Sequence, residues 1–149
     1  MSAPRYLIDS NLLVYPVDPL DAVKRRRAQE VLRRLAAAGS AAIPAPALAE
    51  FCNVASRRLG QEVSSAEIHR QVEDLIADFP VLALTSEVIV MALEGLGRHR
   101  LPYFDAQIWA CAKIHDIPTV LSTDFAAGST IRGVEIINPL APEFDPASL

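Results

Sequence analysis

The chain has 149 residues, 51% of them hydrophobic, and a net charge of -4. That size matches one compact domain over residues 1–149 with a full-sized core, and no Gly/Ser-rich linker divides it. No basic region precedes a long apolar run at the N-terminus, and no apolar stretch approaches about 18 residues, so the expectation is a cytoplasmic protein, neither secreted nor membrane-spanning. The charge does not suggest a general nucleic-acid coat, although segregated acids and bases still make local surfaces.

Tyr6, Leu7 and Ile8 form a short apolar run without alternation, which predicts a central strand covered on both faces. Asp9 stands where that strand should end, and ligands of open parallel α/β sheets bind beyond the carboxyl ends of the strands. The plainer explanation is that Asp9 caps a helical turn beginning near Asn11. Asp18-Pro19 then reads as an N-cap with proline at the first helical position, and Gly39 as the stop. Between them Ala28, Val31, Leu32 and Leu35 follow i, i+3, i+4, i+7, an amphipathic helix. Its opposite face carries Lys24, Arg25, Arg26, Arg27, Arg33 and Arg34, either a solvated face balanced by Asp21 and Glu30 or a phosphate-contacting surface centred on Arg26 and Arg27. Ser40 to Ala45 is a second strand, and this β-helix-β order implies a parallel pair with a right-handed crossover.

The next helix runs from near Pro46 to before Gly60, with Ala47, Phe51 and Val54 as its apolar stripe. Glu50 lies on that stripe, and a carboxylate there is costly unless paired, hydrogen-bonded or metal-bound. Ser64 to Glu67 matches a capping box opening a helix with Ile68, Val72, Leu75, Ile76 and Phe79 on one face. Val81 to Thr85 is a third strand, and Ser86 to Leu96 a helix with Ile89, Ala92, Leu93 and Leu96 inward. In the helix from Phe104 to Asp116, Asp105 begins the stripe continued by Ile108, Trp109 and Ala112; stabilisation of the helix start is its ordinary explanation. Pro118 to Ser122 is a fourth strand closed by Thr123-Asp124, and Gly133 to Ile137 a fifth. From Pro139 the tail should be irregular. Cys52 and Cys111 lack metal-ligand spacing and read as buried free thiols.

Asp9, Glu50, Asp105 and Asp124 each have an ordinary role alone. In a sheet whose strand order reverses between the Asp9 and Asp124 strands, all four converge on one crevice. Uncompensated acids cannot crowd together, and hard divalent cations with oxygen ligands, Mg²⁺ in particular, are the natural compensation. The matching chemistry is phosphoryl transfer to water. His69, His99 and His115 read as helix-surface or helix-end residues, and no Gly-rich phosphate loop follows any strand.

The segments Tyr6-Leu-Ile-Asp9-Ser-Asn11, Ala47-Leu-Ala-Glu50-Phe51, Tyr103-Phe-Asp105-Ala-Gln-Ile-Trp-Ala110 and Leu121-Ser-Thr-Asp124-Phe125 together resemble the PIN-domain nucleases, within them the VapC-like toxins of toxin-antitoxin systems. The resemblance implies a three-layer α/β/α sandwich with a central parallel sheet of about five strands. It implies Mg²⁺- or Mn²⁺-dependent RNA cleavage, a homodimer, and inhibition by a small antitoxin. By position, Asp9, Asp105 and Asp124 would hold metal, Glu50 would complete the pocket directly or through water, and Asn11 would be a polar helper. Many relatives place another acid where this chain has Thr123. The alternative is a PIN-fold protein that binds RNA or a partner without cutting. A phosphatase using Asp9 as nucleophile would expect a second Asp where Asn11 stands.

Overall fold

The structure, a computed structural model, describes residues 3–58, 63–124 and 126–149; the expected stop at Gly60 and the matching residue Phe125 lie outside them. Six strands form one sheet: β1 (Tyr6–Ile8), β2 (Ala41–Pro44), β3 (Val81–Leu82), β4 (Thr119–Leu121), β5 (Thr130–Ile131) and β6 (Val134–Ile137). Their order is β3-β2-β1-β4-β6-β5. All neighbours are parallel except β5, which pairs antiparallel with β6. The five parallel strands are those expected; the sixth is an addition. Arg132 and Gly133 form its two-residue turn with φ of 48° and 83°, the geometry that lets two short strands close as a hairpin.

The chain is a three-layer α/β/α sandwich. Every residue of β2 and β4 is buried, as are Leu7 and Ile8 of β1, because helices cover both faces of the centre of the sheet. Those helices are α1 (Ser10–Val14), α2 (Ala22–Ala38), α3 (Ala45–Arg58), α4 (Ser65–Asp78), α5 (Ser86–His99) and α6 (Tyr103–Ile114). Successive crossovers carry the chain from β1 through β2 to β3, then back past β1 to β4. The reversal falls between β1 and β4, whose register sets Ile8 beside Leu121.

Local details differ from the expectations in physically readable ways. Asp21, not Asp18, caps α2: its carboxylate accepts the Lys24 N–H at 3.0 Å, while Asp18 closes a tighter turn onto the Leu20 N–H at 2.9 Å. Gly39 does stop α2, in the left-handed region with φ 60°. Ser64 caps α4 through the Glu67 N–H. In α5 the inward residues are Val88, Ala92 and Gly95, whereas Ile89, Leu93 and Leu96 face outward with Val90. The register is set by Trp109 of α6, fully buried against Gly95, where an added Cβ would stand 3.0 Å from the indole. Cys111 is buried, which pushes its thiol up to about 11, while Cys52 is half-buried.

The C-terminal tail is irregular apart from one 3₁₀ turn at Pro146–Ser148, yet it is tied down. The guanidinium of Arg27 donates to the carbonyls of Pro139 at 3.4 Å, Ala141 at 3.2 Å and Phe144. Pro146 is buried, and Leu149 packs against the core.

Candidate active site

Asp9 leaves the end of β1 at the reversal point. Its backbone N–H continues the ladder to the Leu121 carbonyl at 3.0 Å, and only 3% of the residue is exposed. One carboxylate oxygen accepts the Ser10 N–H at 2.7 Å, so Asp9 does cap α1; the other accepts the Ser122 hydroxyl, also at 2.7 Å. A cap alone needs no second donor from another strand. The carboxyl titrates above its ordinary value of 3.8, chiefly because burial disfavours the anion, a tendency opposed by the Ser122 and Ser10 hydrogen bonds and reinforced by the charges of Glu50 and Asp124.

Asp105 enters from the first turn of α6, behind Pro102. The helix start has no side-chain cap, and Asp105 makes no hydrogen bond to another described residue, so any help it gives the helix comes from its charge in the first turn alone. Its carboxyl is pushed from 3.8 up to about 6, first by burial and then by the charges of Asp9, Asp124 and Glu50. Each acid therefore lies within electrostatic reach of others in the set. None forms an ion pair with a described Lys, Arg or His.

Glu50 is not on the buried stripe of α3, which is Ala47, Phe51 and Ala55. It sits beside that stripe, exposed, on the wall of an open cleft of about 560 Å³. Asn11 and Asp124 line the same cleft, together with Tyr15, Asn53 and Arg57. Asn11 positions its neighbour: its side-chain oxygen accepts the Thr123 N–H at 3.1 Å and so holds the segment that presents Asp124. Its amide nitrogen is buried without a partner among the described residues, as is the Thr123 hydroxyl.

Of the anticipated residues, Asn11, Glu50 and Asp124 thus line one cleft, and Asp9 and Asp105 lie within electrostatic reach of Glu50 and Asp124. Arg27 does not join them, because its guanidinium is engaged by the tail carbonyls; Arg26 is exposed on α2 and does not line the cleft. Sequence reasoning missed Ser122, whose hydroxyl donates to Asp9 and accepts the Asp124 N–H at 3.2 Å, coupling two of the acids. It also missed Arg57, seven residues beyond Glu50 and hence on the same helical face two turns on.

Among the described residues, no group of three or more His, Cys, Asp or Glu side chains stands close enough together to hold a metal ion. In chemistry, though not in spacing, the acids suit a hard cation: all four offer oxygen donors, their charges oppose one another, and none is ion-paired with a cation among the described residues. Among the described residues no helix is long and apolar enough to cross a membrane.

The family model of the PIN domain matches residues 6–127. No curated protein matches the sequence. Among solved structures, a toxin-antitoxin complex from Klebsiella pneumoniae is similar with a TM-score of 0.67 at 19% identity, over 90% of this chain and 97% of that one. FitAcB from Neisseria gonorrhoeae has a TM-score of 0.65 at 20% identity, covering 90% and 97%. VapC20 of Mycobacterium tuberculosis, described as a toxin cleaving the sarcin-ricin loop, has a TM-score of 0.60 at 20% identity, covering 85% and 96%.

Proposed function

The chain belongs to the PIN-domain family, and from that premise we propose that it is a metal-dependent endoribonuclease of the cytoplasm, the toxin of a toxin-antitoxin pair. The observation that carries this reading is the gathering of four carboxylates near the sheet's reversal point, where burial first and the neighbouring acids' charges second raise Asp9 and Asp105. Asp105 has neither an ion pair nor a capping hydrogen bond among the described residues, which leaves its carboxylate available to the site. Asp9, Asp105 and Asp124, with Glu50 directly or through water, would hold Mg²⁺ or Mn²⁺, which supplies an activated water and neutralises charge on the phosphate.

The chain's own residues do the positioning. Ser122 fixes the Asp9 carboxylate and the Asp124 backbone, and Asn11 fixes Thr123, so the acids are held from two strands at once. Arg57 and Tyr15 offer a cation and a phenol along the cleft to an RNA backbone, a role that Arg27 cannot share. Among its structural neighbours are toxin-antitoxin complexes, which supports a small cognate antitoxin as partner. A homodimer is part of the same proposal, with the outward Ile89, Val90, Leu93 and Leu96 of α5 as the apolar surface it would cover.

The test is cleavage of RNA by purified protein with Mg²⁺ or Mn²⁺ and with excess chelator, beside Asp9→Asn. Cleavage should require metal and vanish in the variant while its circular dichroism stays that of wild type. A folded Asp9→Asn protein that still cuts would sink the nuclease reading. The exposed positions of Glu50 and Asp124 on the cleft wall, while Asp9 alone of the four acids is buried, favour a second reading, binding of RNA without cleavage. RNA affinity without metal-dependent products would establish it.

A further inference from the structure

On its other side Glu50 borders a second groove, of about 530 Å³, between the first turns of α3 and α6. Its floor is apolar: Ile108, Leu84 and the ring of Phe104, which is 71% exposed although it immediately precedes Asp105. A phenylalanine held in water on a helix start contributes nothing to the core, and its edge contact is with Tyr103 alone among the described aromatic rings. Two carboxamides complete the lining. Gln107, one turn after Phe104, is 4% exposed, hydrogen-bonds to no other described residue and lines the groove, so its amide is free to pair with an occupant. Asn53, one turn after Glu50, lines both this groove and the acid cleft.

We infer that this groove receives one unpaired RNA base beside the scissile phosphate, stacked on Phe104 and read at its edge by Gln107 and Asn53. The inference rests on the nuclease reading and deepens it. A flat aromatic face with apolar neighbours is what an unstacked base requires, and side-chain amides match the mixed donors and acceptors of base edges. Continuity with the acids selects this occupant over a protein segment, because Glu50 and Asn53 belong to both hollows and Phe104 is adjacent in sequence to Asp105. The base is thereby splayed away from its neighbours, so a paired strand could not enter.

The test uses a short single-stranded RNA that wild type cuts at one mapped bond, with binding measured on the uncleaving Asp9→Asn protein. Adding Phe104→Leu, which keeps apolar bulk and removes the ring, should weaken binding roughly 5- to 100-fold, and Phe104→Trp should not. An abasic nucleotide beside the mapped bond should weaken binding by a similar factor to the protein that keeps Phe104, but cost the Phe104→Leu variant little more. Gln107→Leu should change which base is preferred at that one position. Equal affinity for RNA with and without Phe104→Leu, or losses that simply add, would overturn the inference while leaving the nuclease reading in place. If sedimentation then shows that Phe104→Leu alters self-association, the groove serves a protein contact. Failure of the wild type to cut any RNA would remove both readings.

Discussion

Replacing Asp105 by Asn should stabilise the metal-free protein near neutrality. In the folded chain the carboxyl titrates at about 6 against an ordinary 3.8. Below 3.8 it is protonated in both states and contributes no difference. As pH rises from 3.8 to about 6 the unfolded chain loses its proton first, so the fold loses stability across that window and carries the full penalty above it. At about 1.4 kcal/mol per pH unit the separation corresponds to roughly 3 kcal/mol. Asp105 is only partly buried, so solvent screening cuts this to about 1.5 kcal/mol, and losing a favourable charge at a helix start removes about 0.5 kcal/mol more of the gain. A net of about 1 kcal/mol should raise Tm by roughly 2 to 4 °C for a domain of this size. Thermal melts in chelator at pH 7.5 and pH 4 measure it, the gain being present at the first and largely absent at the second. Mn²⁺ at 100 times its Kd should stabilise the wild type by about 2.7 kcal/mol and the variant far less. A variant that melts no higher in chelator at pH 7.5, gains equally at both pH values, or responds to Mn²⁺ as fully as wild type would refute the reasoning.

Ser122→Ala removes a donor to Asp9 and an acceptor for Asp124; cleavage should fall roughly 10- to 100-fold, with the acidic limb of its pH profile moved upward because a lowering hydrogen bond is lost. Arg27→Ala should cost about 1 to 3 kcal/mol and expose residues 139–149 to proteolysis, without altering the salt dependence of RNA binding. Arg26→Ala, by contrast, should leave the melt unchanged and reduce the log-log salt slope by about 0.7 if that exposed side chain meets a phosphate. Gly95→Ala gains about 1 kcal/mol of helix propensity, yet its methyl must stand 3.0 Å from a fully buried Trp109, and overpacking of about 1 to 3 kcal/mol should win, lowering Tm.

The strands that build the site were legible because Tyr6 to Ile8 and Thr119 to Leu121 are short, mostly apolar runs without alternation, as a doubly covered strand requires. That fact also made the acids following them conspicuous. What escaped had weak local signals. On α5, apolar residues at 88, 89, 90, 91, 93 and 96 surround much of the helix, so periodicity could not choose the inward face; an absent side chain at Gly95 chose it. Asp18 and Asp21 lie three apart, and either could have capped α2. Ser122 is an ordinary residue at a strand end until a neighbouring strand supplies Asp9. Arg27 looked like its basic neighbours, and only the returning tail distinguishes it.

The hydrogen bond from Ser122 to Asp9 joins residues 113 positions apart. Contacts of such sequence separation are slow to form, since a long loop must close before anything rewards it. During synthesis β1, β2 and β3 can emerge and begin to associate, while the strand that inserts beside β1 and carries Asp124 is still unmade. Asp9 is then a solvated carboxylate without its hydroxyl donor, and Asp124 has not been translated. The order of strands therefore acts as a timer: a ribosome stalled before residue 119 holds a chain with much of its scaffold and none of its assembled chemistry.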